Sequence, residues 1–244
     1  MTVATLVALA VVALVAFGTE GAIGFGGTVI AASLGAQLVP LEVLLPAFVP
    51  LNLALSGWLL ARSAGSIAWR VLVFEIAPPV AAGMIAGIAL AHAGPQRMLA
   101  LGFGIFVIVL AVLQLARPAT RPLSRVARLL LLVAGGVAHG IFGTGGPMIV
   151  YVARRRIADK RAFRGTLAVL WIVLNSVLLA SFVSLGRYGD ATFEIGAVLA
   201  LAIVPGLWIG ERLHRALDAA RFERVVWSVL LAAGVALVVR CVSG

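Results

Sequence analysis

Two glycine-rich stretches interrupt apolar runs, and they limit what this chain can fold into. Residues 20–28 read EGAIGFGGT and residues 139–147 read HGIFGTGGP. Both lie in segments apolar enough to enter a membrane, where every backbone N–H and C=O group must find a partner within the protein. Non-helical backbone at that depth is tolerated only where protein buries it or where it lines a water-filled cavity. The two stretches therefore predict special sites rather than ordinary membrane crossings.

The composition predicts a polytopic protein embedded in the lipid bilayer. Of the 244 residues, 63% are hydrophobic and 11% are charged, whereas a soluble domain carries about a quarter charged residues. Basic residues outnumber acidic ones by 19 to 9. In a membrane protein this excess marks the cytosolic loops, so we expect no nucleic acid as a partner. The first apolar run has no basic region before it, and we expect it to belong to the mature fold.

An internal repeat relates the two glycine stretches. Their glycines match at a displacement of 119 residues, and three further residues match at a displacement of 123. The repeat predicts two halves, 1–119 and 120–244. The matched pairs are Gly21 and Gly140, Gly24 and Gly143, Gly26 and Gly145, Gly27 and Gly146, Asn52 and Asn175, Gly83 and Gly206, and Gly87 and Gly210.

Six apolar segments qualify as full helical crossings, which need about 17 to 25 residues. They are 43–61, 71–91 and 98–116 in the first half and 165–185, 193–210 and 225–239 in the second. The pieces on either side of each glycine stretch are shorter and interrupted. We therefore expect a re-entrant, broken-helix hairpin over 3–40 and another over 129–153.

The distribution of Lys and Arg supports hairpins that return to the side from which they entered. If each glycine segment crossed fully, the two sides would hold 8 and 11 basic residues, which is no bias. If each hairpin turns at mid-depth, the split becomes 16 to 3, as the positive-inside rule requires. Each half then crosses three times, so the repeats are inverted. The predicted fold is all-α with inverted repeats in the plasma (inner) membrane, both termini outside.

The glycine turns predict an anion-binding site. Glycine adopts positive φ without a steric penalty and lets a ligand approach bare backbone. A helix restarts after each turn, with Pro147 and Thr28 expected as its first residues, so each tip presents free N–H groups and a positive helix end. Two tips entering from opposite faces would meet near the midplane and hold a small oxyanion between them. We expect substrate contacts from Gly24, Gly26, Gly27, Thr28, Gly143, Thr144, Gly145, Gly146, Asn52 and Asn175.

The alternative is that the glycines only let helices pack closely. The pairs Gly83/Gly87 and Gly206/Gly210 fit that interpretation better than the tips do. Because the repeat preserved an amide at Asn52 and Asn175, we expect these side chains to line the site or brace the hairpins.

Two ionisable residues directly precede the first glycine of each stretch and are candidates for proton coupling. Glu20 would repel an anion when ionised, but a buried carboxyl that stays protonated could carry a proton. His139 titrates near neutrality and could do the same or donate to the anion. The structural alternative makes Glu20 a helix cap or the partner of an Arg or His.

The segments GAIGFGGT and GIFGTGGP, in two halves joined by an arginine-rich loop, resemble the TauE/SafE family of sulfite and sulfonate exporters, also called the toluene-sulfonate uptake permeases. The resemblance covers essentially the whole chain. It implies transport of sulfite, an organic sulfonate or a related anion. The first motif has Thr28 at the position where the second has Pro147. Because the first motif lacks this proline, we expect its helix to start more loosely.

Three functions compete at this point. A secondary transporter of small anions is favoured, an anion channel of the same architecture is the alternative, and a membrane-embedded enzyme using Glu20 and His139 ranks last. The chain has no GxxxxGK[ST] loop for ATP and no H-E-x-x-H spacing for a metal. We therefore expect no cofactor, no metal and no catalytic residues, and we leave open a homodimer.

Overall fold

The chain is helical in every regular element of the described region. The structure is a computed structural model that describes residues 2–23, 26–63, 65–93, 95–116, 123–216 and 219–243. A π-helical turn, Leu72–Ile76, joins α4 to α5. The helices are α1 Val3–Ile23, α2 Gly27–Gly35, α3 Leu41–Ser63, α4 Trp69–Val71, α5 Ala77–Ala93, α6 Gln96–Leu115, α7 Arg125–Phe142, α8 Gly146–Arg156, α9 Lys160–Ser184, α10 Asp190–Leu201, α11 Ile203–Ala216 and α12 Ala219–Ser243.

All six predicted crossings are helical. Four of them are single helices, namely α3, α6, α9 and α12. The fifth consists of α4, the π-helical turn and α5, which follow one another without a gap. The sixth is divided at Ala202 into α10 and α11, three residues before Pro205, which cannot donate a helical hydrogen bond.

The structure corrects the number of helices that can span a membrane. Eight helical segments of the described chain are long and apolar enough to do so, because α1 and α7 qualify as well. The sequence analysis treated the glycine stretches as breaks, whereas Gly21 in α1 and Gly140 in α7 are helical. Each helical glycine costs about 1 kcal/mol relative to alanine, and close packing offsets that cost. The re-entrant path of each hairpin stays a prediction.

The described chain forms two compact units that combine segments from both sequence halves. Unit 1 contains residues 1–47, 94–121 and 189–244, and unit 2 contains residues 48–93 and 122–188. In unit 1, α1 packs against α11, and α6 packs against α12. In unit 2, α5 packs against α7, and α7 packs against α8. Each glycine-rich hairpin thus lies with a helix from the other half, and the repeat boundaries remain a prediction.

The α5–α7 interface in unit 2 is a contact of backbone on backbone. A Cβ on Gly136 would overlap the carbonyl oxygen of Val80, and a Cβ on Gly140 would lie 2.5 Å from that of Met84. Four residues along one helix correspond to four along the other, so α5 and α7 run parallel. Gly83 and Gly87 approach α7 equally closely. The expectation that these two glycines serve helix packing is consistent with this geometry.

The α6–α12 interface in unit 1 has the opposite polarity. A Cβ on Gly104 would lie 3.1 Å from the carbonyl oxygen of Gly234 and 2.8 Å from Cγ2 of Val238. Reciprocally, a Cβ on Gly234 would lie 3.1 Å from the carbonyl oxygen of Gly104 and 3.0 Å from Cγ1 of Ile108. Each glycine therefore meets the residue four positions beyond the other glycine. This reciprocal register occurs only when the two helices run antiparallel.

The carboxylate of Glu75 joins the start of α7 to the end of α8. Arg156, the last residue of α8, donates two hydrogen bonds to Glu75, at 2.6 Å from Nε and 2.7 Å from NH2. NH1 of Arg128, in the first turn of α7, lies 3.8 Å from Oε2 of the same carboxylate. The hydrogen bond to Glu75 raises the pKa of the Arg156 guanidinium. The start of α7 and the end of α8 thus lie at the same level, beside the π-helical turn that carries Glu75.

The α5–α7 contact predicts a position-dependent effect of adding one methyl group. Gly136→Ala should lower the free energy of unfolding by about 1–3 kcal/mol, because the new Cβ would overlap backbone that cannot move aside. The control is Gly57→Ala in α3, where a Cβ would meet nothing within 4 Å and alanine is the better helix former. Thermal unfolding in detergent should show a clear drop for the first variant alone, and equal midpoints would contradict the interface.

Candidate functional site

The tip of the α7–α8 hairpin is a tight turn with an uncapped helix start. α7 ends at Phe142 and is followed by Gly143, which has φ 65° and whose N–H donates to the His139 carbonyl at 2.8 Å. α8 begins at Gly146, and no side chain caps it. Pro147 is its second residue, not its first as predicted, so one of the initial N–H groups is missing. The remaining N–H groups of the first turn have no intrahelical acceptors.

The structure corrects the reason why Gly145 must be glycine. Its φ is −68°, in the right-handed helical region, so the positive φ expected there is absent and belongs to Gly143 instead. What Gly145 requires is space. A Cβ at this position would overlap the carbonyl oxygen of Gly135 and lie 2.9 Å from Cβ of His139. α8 therefore returns along α7 at backbone contact distance.

Three predicted polar residues of unit 2 are buried and carry polar atoms without hydrogen-bond partners. His139, Thr144 and Asn175 are 2%, 2% and 3% exposed. Neither ring nitrogen of His139 has a hydrogen-bond partner, and the same holds for Oγ1 of Thr144 and Oδ1 of Asn175. A buried polar atom without a partner costs about 1–3 kcal/mol, so several of them in one compact unit call for an explanation. A polar ligand is a direct one.

Trp171 is a site residue that the sequence analysis missed. Its ring stacks on the imidazole of His139, with centroids 5.7 Å apart and an interplanar angle of 21°. Its Cζ2 and Cη2 atoms lie 3.9 Å from the position of a Cβ on Gly146. Residues four apart on a helix share a face, and Trp171 precedes Asn175 by four. That spacing in α9 was the available signal.

The tip of the α1–α2 hairpin in unit 1 has a different chemistry. Gly26 has φ 95° and precedes α2, and Gly27 is the buried first residue of that helix. A Cβ on Gly27 would overlap Oε2 of Glu20, so the carboxylate lies against the start of α2. Oε2 of Glu20 is buried and has no partner. Thr28 is half-buried as the second residue of α2.

The remaining predicted residues add less to either tip. Gly24 lies outside the described residues. Asn52 is 6% exposed in α3 and belongs to unit 2, as Asn175 does. The positive φ falls at Gly26 in the first hairpin and at Gly143 in the second, so positions matched by the repeat do not share a conformation.

The comparisons with known proteins agree with the resemblance of the glycine motifs. The family model described as sulfite exporter TauE/SafE matches residues 9–237. The chain belongs to the TauE/SafE family. Over 103 residues it is 30% identical to a probable inner membrane transporter protein, TsaS, of Comamonas testosteroni; this match covers 42% of the chain and 43% of that relative. No solved structure matches the chain.

The TauE/SafE match includes the tips of both hairpins and all of their polar residues. The aligned part spans less than half the length of TsaS, so this relative assigns no substrate to the chain. The predicted family is confirmed.

The tip geometry predicts that Gly145 and Gly146 respond differently to substitution. Gly145→Val should open the hairpin, because its side chain would overlap the Gly135 carbonyl and crowd His139. A loss of about 1–3 kcal/mol in the free energy of unfolding is expected. Gly146→Ala is the matched control, since its Cβ would make an ordinary contact with Trp171 at 3.9 Å. Thermal unfolding of both purified variants tests this, and a fully stable Gly145→Val protein would contradict the contact.

Proposed function

We propose that the protein is a secondary transporter of small anions, with sulfite or an organosulfonate as substrate, in the inner membrane. The family is described as a sulfite exporter family, and the relative TsaS is described as a probable inner membrane transporter protein. The observation that carries the proposal is the set of buried, unpartnered polar atoms on His139, Thr144 and Asn175 in unit 2. Coupling to protons is part of the proposal.

The chemistry of these side chains suits an oxyanion. A neutral imidazole donates from one ring nitrogen and a threonine hydroxyl donates once. The unpartnered atom of Asn175 is its acceptor, Oδ1, so its carboxamide donates to an anion after a flip that presents the NH₂ group. The free N–H groups and the dipole at the start of α8 add positive potential, although a helix start alone would not define a site. The proposed substrate contacts of this tip include the backbone of Gly143, Gly145 and Gly146, and Asn52 is proposed to brace the hairpin. For the tip in unit 1, the proposed substrate contacts are Gly24, Gly26, Gly27 and Thr28.

Glu20 is the proposed carrier of the coupling proton. Its Oε2 atom is buried without a partner in the membrane-spanning part of α1. An ionised carboxylate without a counter-charge is expensive in this setting, whereas a protonated carboxyl is tolerated. Its position beside the first residue of α2 favours ionisation through the helix dipole. Opposing influences of this kind suit a group that gains and loses a proton during transport.

Inverted repeats with re-entrant hairpins are the proposed topology, and two observations support it. Helices α6 and α12 are equivalent in the repeat and run antiparallel where they touch. If α9, the α10–α11 segment and α12 each cross once, this polarity requires α7 and α8 to return to the side on which α7 began. The contact of Arg128 and Arg156 with one carboxylate, Glu75, supports the same return.

The orientation follows from the basic residues under this topology. One face carries 16 Lys and Arg residues and the other carries Arg97, Arg187 and Arg240. The positive-inside rule places the basic face in the cytosol. Both termini then lie outside, and the segment 154–164 lies inside.

Cys241 allows a direct test of this orientation because it is the chain's single cysteine. A membrane-impermeant maleimide should label Cys241 in intact spheroplasts, because this residue is partly exposed. For the control, Cys241→Ser is combined with Ala158→Cys, an exposed position between α8 and α9. That variant should be labelled only after lysis. The reverse pattern would overturn the proposed orientation.

Transport assays in proteoliposomes test the proposed function and its coupling. Glu20→Gln keeps the shape of a protonated carboxyl, so it should still exchange sulfite but lose acceleration by a proton gradient. His139→Gln should weaken sulfite binding roughly tenfold or more, because a hydrogen bond to a charged group contributes about 1.5–3 kcal/mol. Glu42→Gln, in the first turn of α3, is the control and should keep its response to the gradient.

Two results would contradict these proposals separately. Full pH-driven transport by Glu20→Gln would make Glu20 structural. Wild-type flux that never exceeds the imposed anion gradient, with a proton gradient present, would indicate an anion channel instead of a transporter.

A further inference from the structure

We propose that Trp171 is the specificity-determining residue of the α7–α8 tip and restricts it to compact oxyanions, namely sulfite and the smallest alkanesulfonates. The inference rests on the proposed function, because it concerns which anions the same site accepts.

Trp171 contacts both parts of the hairpin at its tip. Its indole stacks on the imidazole of His139 near the end of α7, with a centroid distance of 5.7 Å. The far edge of the same ring, Cζ2 and Cη2, faces the first residue of α8, Gly146. The side chain therefore forms a continuous apolar wall from the imidazole to the start of α8.

The gap between the start of α8 and the Trp171 ring is small. A single methyl group on Gly146 would already be in van der Waals contact with the Trp171 ring, at 3.9 Å. The unpartnered atoms of His139, Thr144 and Asn175 are themselves out of reach of water. An anion that reaches them must displace side chains even when it is compact. An alkyl or aryl group attached to the anion would have to displace the indole as well.

The position of Trp171 on α9 makes such displacement costly. Asn175 follows one turn later on the same face of the helix, so the same rigid element carries the indole and one of the polar atoms. A shift of α9 that made room for a bulky substituent would also withdraw Asn175 from the anion. The ring thus limits the size of the substituent as long as Asn175 binds the head group.

The test compares anions of increasing size in proteoliposomes containing the full-length protein. Wild type should lose kcat/KM progressively from sulfite through methanesulfonate to butanesulfonate. Trp171→Ala should raise the ratio of kcat/KM for butanesulfonate to that for sulfite by about tenfold or more, the range in which a pocket discriminates methylene groups. Trp208→Ala removes an indole that is 54% exposed in unit 1 and should leave the ratio unchanged.

Trp171→Phe provides a second measurement if the alanine variant does not fold. Phenylalanine keeps a ring against His139 but withdraws the edge that faces Gly146, so the ratio should rise by a smaller factor. An unchanged ratio in the variant that folds would overturn the inference, as would a wild type that moves butanesulfonate as well as sulfite. A wild type that moves none of these anions would instead overturn the proposed function, and the inference with it.

Discussion

Close backbone contact between helices is the constraint on which the rest of this structure depends. Lipid chains are as apolar as leucine, so helices in a bilayer associate through tight packing rather than through the hydrophobic effect. Glycine removes the Cβ that would keep two backbones apart, as at Gly83 and Gly136 between α5 and α7. The same device joins α6 to α12 at Gly104 and Gly234. The α5–α7 contact therefore helps to hold α7, and with it the tip, in position.

The hairpin of α7 and α8 is restrained at both of its ends. At the tip, Gly145 lies against the carbonyl of Gly135. At the open end, Arg128 and Arg156 share the carboxylate of Glu75. An exposed ion pair contributes little stability in general, about 0–1 kcal/mol. Its importance here is geometric, because it holds the end of α8 beside the start of α7, as the proposed re-entrant hairpin requires.

The two tips carry different chemistry. In unit 1 a carboxylate, that of Glu20, lies against the first residue of α2. In unit 2 the equivalent residue is His139, whose imidazole stacks on Trp171. An imidazole beside a helix start favours an anion, whereas a buried carboxyl favours a proton. This difference suits the proposed roles of His139 as an anion-binding residue and Glu20 as the carrier of the proton.

The sequence by itself determined the class of protein, the helical segments and the family. Apolar runs of 15 to 21 residues must become helices in lipid, since only helices and closed barrels satisfy their own backbone groups. It also identified most of the polar tip residues, because a repeated motif in an apolar segment is visible without coordinates. It failed at Gly21 and Gly140, which it took for breaks although both lie within helices. Whether a glycine lies within a helix depends on which backbone packs against it, and a sequence does not contain that information.

Only the tertiary structure decided which residues meet across the chain. Trp171 is 25 residues from Gly146 along the chain and Glu75 is 81 from Arg156, and no local pattern pairs either of them. The positive φ at Gly143 instead of Gly145 is likewise set by the return of α8 along α7. These features arise from helices that pack at backbone distance, where the exact register decides every contact. Composition and periodicity specify the helices, but register follows from the fit of one surface to another.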